Sequence, residues 1–145
     1  MDRNMAILIV DDYKTMLRII RNLLKQIGFD NVDEATDGST ALQRLREKNY
    51  GLVISDWNME PMTGLQLLKE IRSDSKLKHI PFIMITSESK TENVIAAKEA
   101  FIMITSESKT ENVIAAKEAG VSNYIVKPFN ADTLKQKLQA IFGSF

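Results

Sequence analysis

The chain has 145 residues, which suits one domain with a sizeable core. Lysine plus arginine and aspartate plus glutamate both total 19, so no basic surplus points to a nucleic-acid partner. There is no cysteine, which excludes a disulfide framework and thiol chemistry.

No apolar run approaches membrane-spanning length, and Met1-Asp2-Arg3-Asn4 lacks the apolar core of a signal peptide. A cytoplasmic protein without a membrane partner is the expectation. The first element, Ala6-Ile7-Leu8-Ile9-Val10, is a continuous apolar run that ends in Asp11-Asp12. Such a run reads as a strand buried on both faces. Lys14 to Ile27 carries Leu17, Ile20, Leu23, Leu24 and Ile27 at helical spacing, and Gly28 supplies the stop. Asn31 to Ala35 is a short polar strand suited to a sheet edge. Asp37-Gly38 is a turn, and Ser39 to Lys48 is a helix with Ala41, Leu42 and Leu45 inward.

Gly51-Leu52-Val53-Ile54-Ser55-Asp56-Trp57-Asn58-Met59 repeats the design of the first strand. Its apolar run also ends in an acid, Asp56. A loop containing Pro61 leads to a third helix, Gly64 to Ser73, with Leu65, Leu68 and Ile71 on one face. Near the end, Asn123 to Val126 reads as a strand that runs into Lys127-Pro128-Phe129. Asn130 can cap a last helix with Leu134, Leu138 and Ile141 at core spacing. Strand and helix alternate throughout, so the predicted fold is α/β: one domain, residues 1–145, with a doubly wound parallel sheet.

In such sheets ligands bind outside the carboxyl ends of the strands. Asp11, Asp12 and Asp56 all sit at strand exits of one kind. Three close carboxylates repel one another, and a divalent cation relieves that repulsion. An all-oxygen site with water in its remaining positions suits magnesium. The bland reading is a pair of solvated loop acids plus an unrelated aspartate; two strands of the same kind weigh against it. Lys127, at another strand exit, could reach a phosphoryl oxygen or pair with Asp56. A solvated surface lysine is the commoner fate of that residue.

Between these regions the chain repeats itself. Residues 82–100 and 101–119 both read FIMITSESKTENVIAAKEA, a perfect 19-residue tandem copy. Natural repeats diverge and usually need three or more units, so the pair suggests a recent or engineered duplication. Three arrangements are open. One copy completes a five-stranded sheet while the other extrudes as helix or loop. Alternatively both form strand and helix, a six-stranded sheet that moves Lys127 outward by about 4.8 Å and should disable the site. Or a helix runs through the junction, adding roughly 28 Å, and the chain end docks on a second subunit as a domain swap. The first is expected, with the third its nearest rival. The junction Glu99-Ala100-Phe101 has no loop residue, which counts against the second.

Asp11-Asp12, Ser55-Asp56, Thr86-Ser87 and Lys127-Pro128-Phe129 together resemble response-regulator receiver domains. Asp56-Trp57-Asn58-Met59, Arg21-Asn22-Leu23-Leu24-Lys25, Glu92-Asn93-Val94-Ile95-Ala96-Ala97 and Tyr124-Ile125-Val126 are similar to the single-domain chemotaxis members of that family. The resemblance covers nearly the whole chain except one copy of the repeat. It implies a flavodoxin-like (βα)5 fold, here perturbed by the duplicated segment. It implies Asp56 as phosphoacceptor, and Asp11, Asp12, Asp56 and the Asn58 backbone carbonyl as magnesium ligands. Lys127 would contact the phosphoryl group, Thr86 or its copy Thr105 would be the switch hydroxyl, and Tyr124 would change rotamer with it. The Lys127–Pro128 peptide would be cis. One departure stands out: Glu60 intervenes between Met59 and Pro61, adding an acid near the site.

The implied function is a phosphorylation-dependent chemotaxis regulator and not an enzyme, although it assists its own phosphorylation and dephosphorylation. Its implied partners are a histidine kinase, a flagellar motor switch protein and a phosphatase. The alternative is an engineered or structural duplication variant with impaired switching, monomeric or a domain-swapped dimer. An aspartate-dependent phosphatase would need a substrate-specificity segment, for which no residues are spare outside the repeat.

Overall fold

Apolar runs become strands wherever both faces can be covered, and amphipathic runs become the helices that cover them. A computed structural model describes residues 3–57, 59–86, 101–105, 122–125 and 130–143. Its elements are β1 (Ile7–Val10), α1 (Lys14–Ile27), β2 (Val32–Ala35), α2 (Gly38–Glu47) and β3 (Leu52–Asp56). Then follow α3 (Gly64–Ser73), β4 (Phe82–Thr86), β5 (Phe101–Thr105), β6 (Ser122–Ile125) and α4 (Ala131–Phe142). Every strand pairing is parallel, in the order β2-β1-β3-β4-β5-β6.

Alternation along the strands sorts the core into two layers. Leu8, Val10, Val53, Phe82 and Met84 face α2 and α3 through Ala41, Leu42, Leu45, Leu67, Leu68 and Ile71. Ile7, Ile9, Leu52, Ile54 and Ile83 face α1 and α4 through Leu17, Ile20, Leu24, Leu134 and Leu138. The sheet is thus covered on both sides, as the sequence predicts for a doubly wound fold. On α3 the buried residues are Gly64, Leu67, Leu68 and Ile71, while Leu65 is only partly buried.

Helix ends follow local chemistry. Gly28 closes α1 in the left-handed region (φ 108°), its N–H meeting the carbonyls of Leu24 and Lys25. Asp37 caps α2 by accepting from the Thr40 N–H at 2.7 Å, and Asn130 caps α4 by accepting from the Thr133 N–H at 2.9 Å. Thr63 and Gln66 form a reciprocal capping box at the start of α3.

The expectation that one repeat copy extrudes is not what the sheet shows. Both copies contribute a strand, β4 and β5, and they pair in register: Phe82 with Phe101, Ile83 with Ile102, Thr86 with Thr105. A helix running through the junction is excluded too, since Phe101–Thr105 is strand. The physical reason is the segment itself. Its aromatic and β-branched residues favour a strand, and the matching copy offers an identical edge. That preference outweighs the missing loop residue at Glu99-Ala100. The fold class stands, with six strands instead of five.

At the opposite edge, Asp33 ties β2 to the loop after α2. The Tyr50 hydroxyl donates to Asp33 Oδ2 at 2.6 Å, and Lys48 Nζ lies 2.9 Å from the same oxygen. The Tyr50 hydrogen bond, then Lys48, holds the Asp33 carboxyl below its ordinary range. Burial and the Asp33 acceptor push the Tyr50 hydroxyl up. Because the folded-state value of Asp33 is depressed, its contribution is full above the unfolded value of about 3.9. That contribution fades as pH falls through the lower folded value. Tyr50→Phe should therefore cost on the order of 1 kcal/mol or less at pH 7, given the partial exposure of Asp33. Urea melts at descending pH should show that deficit shrinking in acid; a deficit that grows would contradict the assignment.

Candidate functional site

The chain reverses its direction of sheet growth at β1, which lies between β2 and β3. Loops leaving β1 and β3 therefore diverge and open a crevice at their carboxyl ends. The register decides what lines it. Val10 lies opposite Ser55, so the next residues, Asp11 and Asp56, leave the sheet at one level. Asp11, Asp12 and Asp56 each offer a carboxylate oxygen, and these oxygens lie within 4.8 Å of one another. Asp11 and Asp56 are buried, whereas Asp12 is exposed.

Backbone contacts hold the acids in place. The Asp11 N–H donates to the Ala35 carbonyl at 3.1 Å, while Asp11 Oδ1 accepts from the Tyr13 N–H at 2.9 Å. The start of α1 thus anchors one carboxylate, favourably placed near the positive end of the helix dipole. Ser55, fully buried, donates through Oγ to the Asp56 carbonyl at 2.9 Å. Asp56 Oδ1 is buried and takes no hydrogen bond, while the residue is engaged in other ways. A buried carboxylate oxygen beside two further carboxylates is costly without a counter-charge. The donor set therefore fits a hard divalent cation with oxygen ligands, with the exposed Asp12 side left for water.

Gly64 is a site residue that the sequence reading missed. Its N–H donates to the Trp57 carbonyl at 2.9 Å. A Cβ there would overlap the Asp56 backbone carbonyl and lie 2.7 Å from Met84 Sδ. Only glycine lets α3 start this close to the end of β3. Its signal was present as Thr63-Gly64-Leu65-Gln66, the spacing of a capping box beside a glycine.

Other predicted positions fall as follows. Asn58 and Lys127, with the Lys127–Pro128 peptide, lie outside the described residues. Asp56 pairs with Ile85, so Thr86 ends β4 one residue beyond the level of the acid. Thr105 pairs with Thr86 one strand further out. Tyr124 lies in β6 and is bridged to both Met84 and Met103. Glu60 is exposed and does not join the carboxylate group; the Glu60–Pro61 peptide is cis. Trp57 is half-buried against the α2–α3 core layer, next to Asp56 in the chain.

No helix among the described residues is long and apolar enough to cross a membrane. The response regulator receiver domain family matches residues 7–102. The chain is similar to chemotaxis protein CheY-3 of Vibrio cholerae serotype O1, 48% identical over 142 residues. That alignment covers 98% of this chain and 95% of the relative. Chemotaxis protein CheY of Pseudomonas aeruginosa is 45% identical over 138 residues, covering 95% and 96%. Among solved structures, chemotaxis response regulator CheY4 of Vibrio cholerae superposes with a TM-score of 0.75 at 29% identity. It covers 95% of this chain and 98% of that one.

Gly64→Ala should cost about 1–3 kcal/mol through overpacking against backbone that cannot yield. It should also weaken the response of Trp57 fluorescence to magnesium. Thr63→Ala, one residue earlier, removes a cap worth about 1 kcal/mol and should leave that response near the parent's. Chemical denaturation with magnesium titration of both variants checks the contrast.

Proposed function

The chain belongs to the response regulator receiver domain family, and from that premise we propose that it is a chemotaxis response regulator switched by phosphoryl transfer to Asp56. The observation that carries this reading is the meeting of Asp11, Asp12 and Asp56 at the carboxyl ends of β1 and β3. The near-full-length likeness to two chemotaxis proteins supports the biological setting. Phosphorylation-dependent signalling is the general function of the family.

In this reading Asp56 is the nucleophile. One carboxylate oxygen attacks phosphorus in line, an O–P bond forms, and the bond to the donor nitrogen breaks with its electron pair. Asp11, Asp12, Asp56 and the Asn58 carbonyl would hold magnesium, which would supply positive charge against the phosphoryl oxygens. Lys127 would contact those oxygens as a second cation where β6 lies next to β4, to which it is bridged, and not from across the added strand β5. The phosphorylated aspartate adds roughly two negative charges and three acceptor oxygens. Thr86 or Thr105 donates to one of them, and Tyr124 answers by changing rotamer. The protein is a phosphoacceptor and not a turnover enzyme. A histidine kinase supplies the phosphoryl group, a flagellar motor switch protein reads the changed surface, and a phosphatase resets it.

The test is intact mass and Trp57 fluorescence with magnesium and a small phosphodonor such as acetyl phosphate. Parent protein should gain one phosphoryl group and show quenching by magnesium followed by a donor-dependent change. Asp56→Asn should gain none. Asp12→Asn should need a higher magnesium concentration for the same quench. Magnesium quenching with no phosphoryl gain in the parent would favour the impaired duplication variant.

A further inference from the structure

The tandem copies give β6 two equivalent neighbours. β4 and β5 carry the same five residues, and Phe82, Ile83, Ile85 and Thr86 pair with their own counterparts in the other copy. Tyr124 of β6 is bridged to Met103 of β5 and also to Met84 of β4, its counterpart. In a regular sheet β6 lies one strand spacing from β5 and two from β4, about 4.8 and roughly 9.6 Å. A bridge to both marks a point where β6 leans across β5 toward β4.

We propose that β6 exchanges between two partners in the folded chain. In one arrangement it pairs with β5 in a six-stranded sheet. In the other it pairs with β4 through the same register, and residues 101–105 leave the sheet. Local strand chemistry does not separate the two edges, because Phe-Ile-Met-Ile-Thr is identical in both. The balance is set by what each arrangement buries elsewhere. The extra strand adds pairing and apolar cover, whereas pairing with β4 returns β6 to the place next to the neighbour of β3. The end of β6 therefore moves by one strand spacing relative to Asp56. Events at the carboxylate cluster would draw β6 inward as a shift in population. That coupling rests on the phosphoryl-transfer reading above; the exchange itself does not.

Because the chain has no cysteine, engineered pairs report strand neighbours without interference. A disulfide needs Cα atoms about 4.4–6.8 Å apart, which adjacent strands satisfy and strands two apart do not. Met84→Cys/Tyr124→Cys and Met103→Cys/Tyr124→Cys should both close within one chain under mild oxidation. Their rates should fall within about tenfold of each other, a spread of about 1.4 kcal/mol. Leu8→Cys/Asp33→Cys, in register between β1 and β2, sets the positive rate. Closure of only one of the two test pairs, or closure solely between chains at dimer mass, would overturn the proposal. Amide hydrogen exchange on the unmodified chain gives an independent reading. The exchange model expects β5, an interior strand, to exchange at least about tenfold faster than β3. Equal protection of β5 and β3 would sink it.

Discussion

One register, Val10 opposite Ser55, governs the molecule. It sets two fully buried strands level, so that the residues following them meet in one place. Those residues are acids, and their mutual repulsion is the electrostatic problem that the surrounding structure manages. Asp11 is pinned by the start of α1, and Asp56 by the backbone around Ser55 and Gly64. A slip of one residue between β1 and β3 would part the carboxylates. It would also turn Leu8 and Val10 to the layer filled by α1 and α4. Core packing and site geometry are therefore fixed by the same pairing. The hydrophobic layers keep the acids together at the crevice.

The close approach at Gly64 shows how little slack this leaves. The amino end of α3 sits against the carbonyl of the residue that the proposed chemistry modifies. Its capping box orients the helix, and Met84 of β4 fills the space beside it. Movement of the Asp56 backbone is thus limited on one side by a helix end and on the other by the sheet. Such a clamp suits a site whose group must be aligned before it reacts.

Much of this was legible in the sequence. Continuous apolar runs ending in Asp11-Asp12 and Asp56 revealed strands and site together, because burial on both faces leaves no polar positions to blur the pattern. Gly28 and Asn130 marked helix ends by their own conformational chemistry. Gly64 was harder, since its role comes from a neighbour eight residues earlier that spacing alone does not bring near. The repeat was hardest. Identical copies carry identical local preferences, so no residue in either could decide which one would enter the sheet. The answer came from long-range pairing, where the second copy found a matching edge in the first. The missing loop residue at Glu99-Ala100 was a real local cost, yet it was smaller than the gain from that edge.

The in-register pairing of Phe82–Thr86 on Phe101–Thr105 has a consequence for solubility. Identical uncharged segments stacked parallel and in register are the geometry of cross-β assemblies. This chain has built the first step of such a stack inside itself. β6, with Ser122 and Asn123 in place of the aromatic and aliphatic pair, pairs with its open side and breaks the identity of the repeat. Until β6 arrives during folding, that side is a template for the same segment of another molecule. The yield of native protein is then a race between docking of β6 within the chain and recruitment of a neighbour. Only the second runner speeds up with protein concentration.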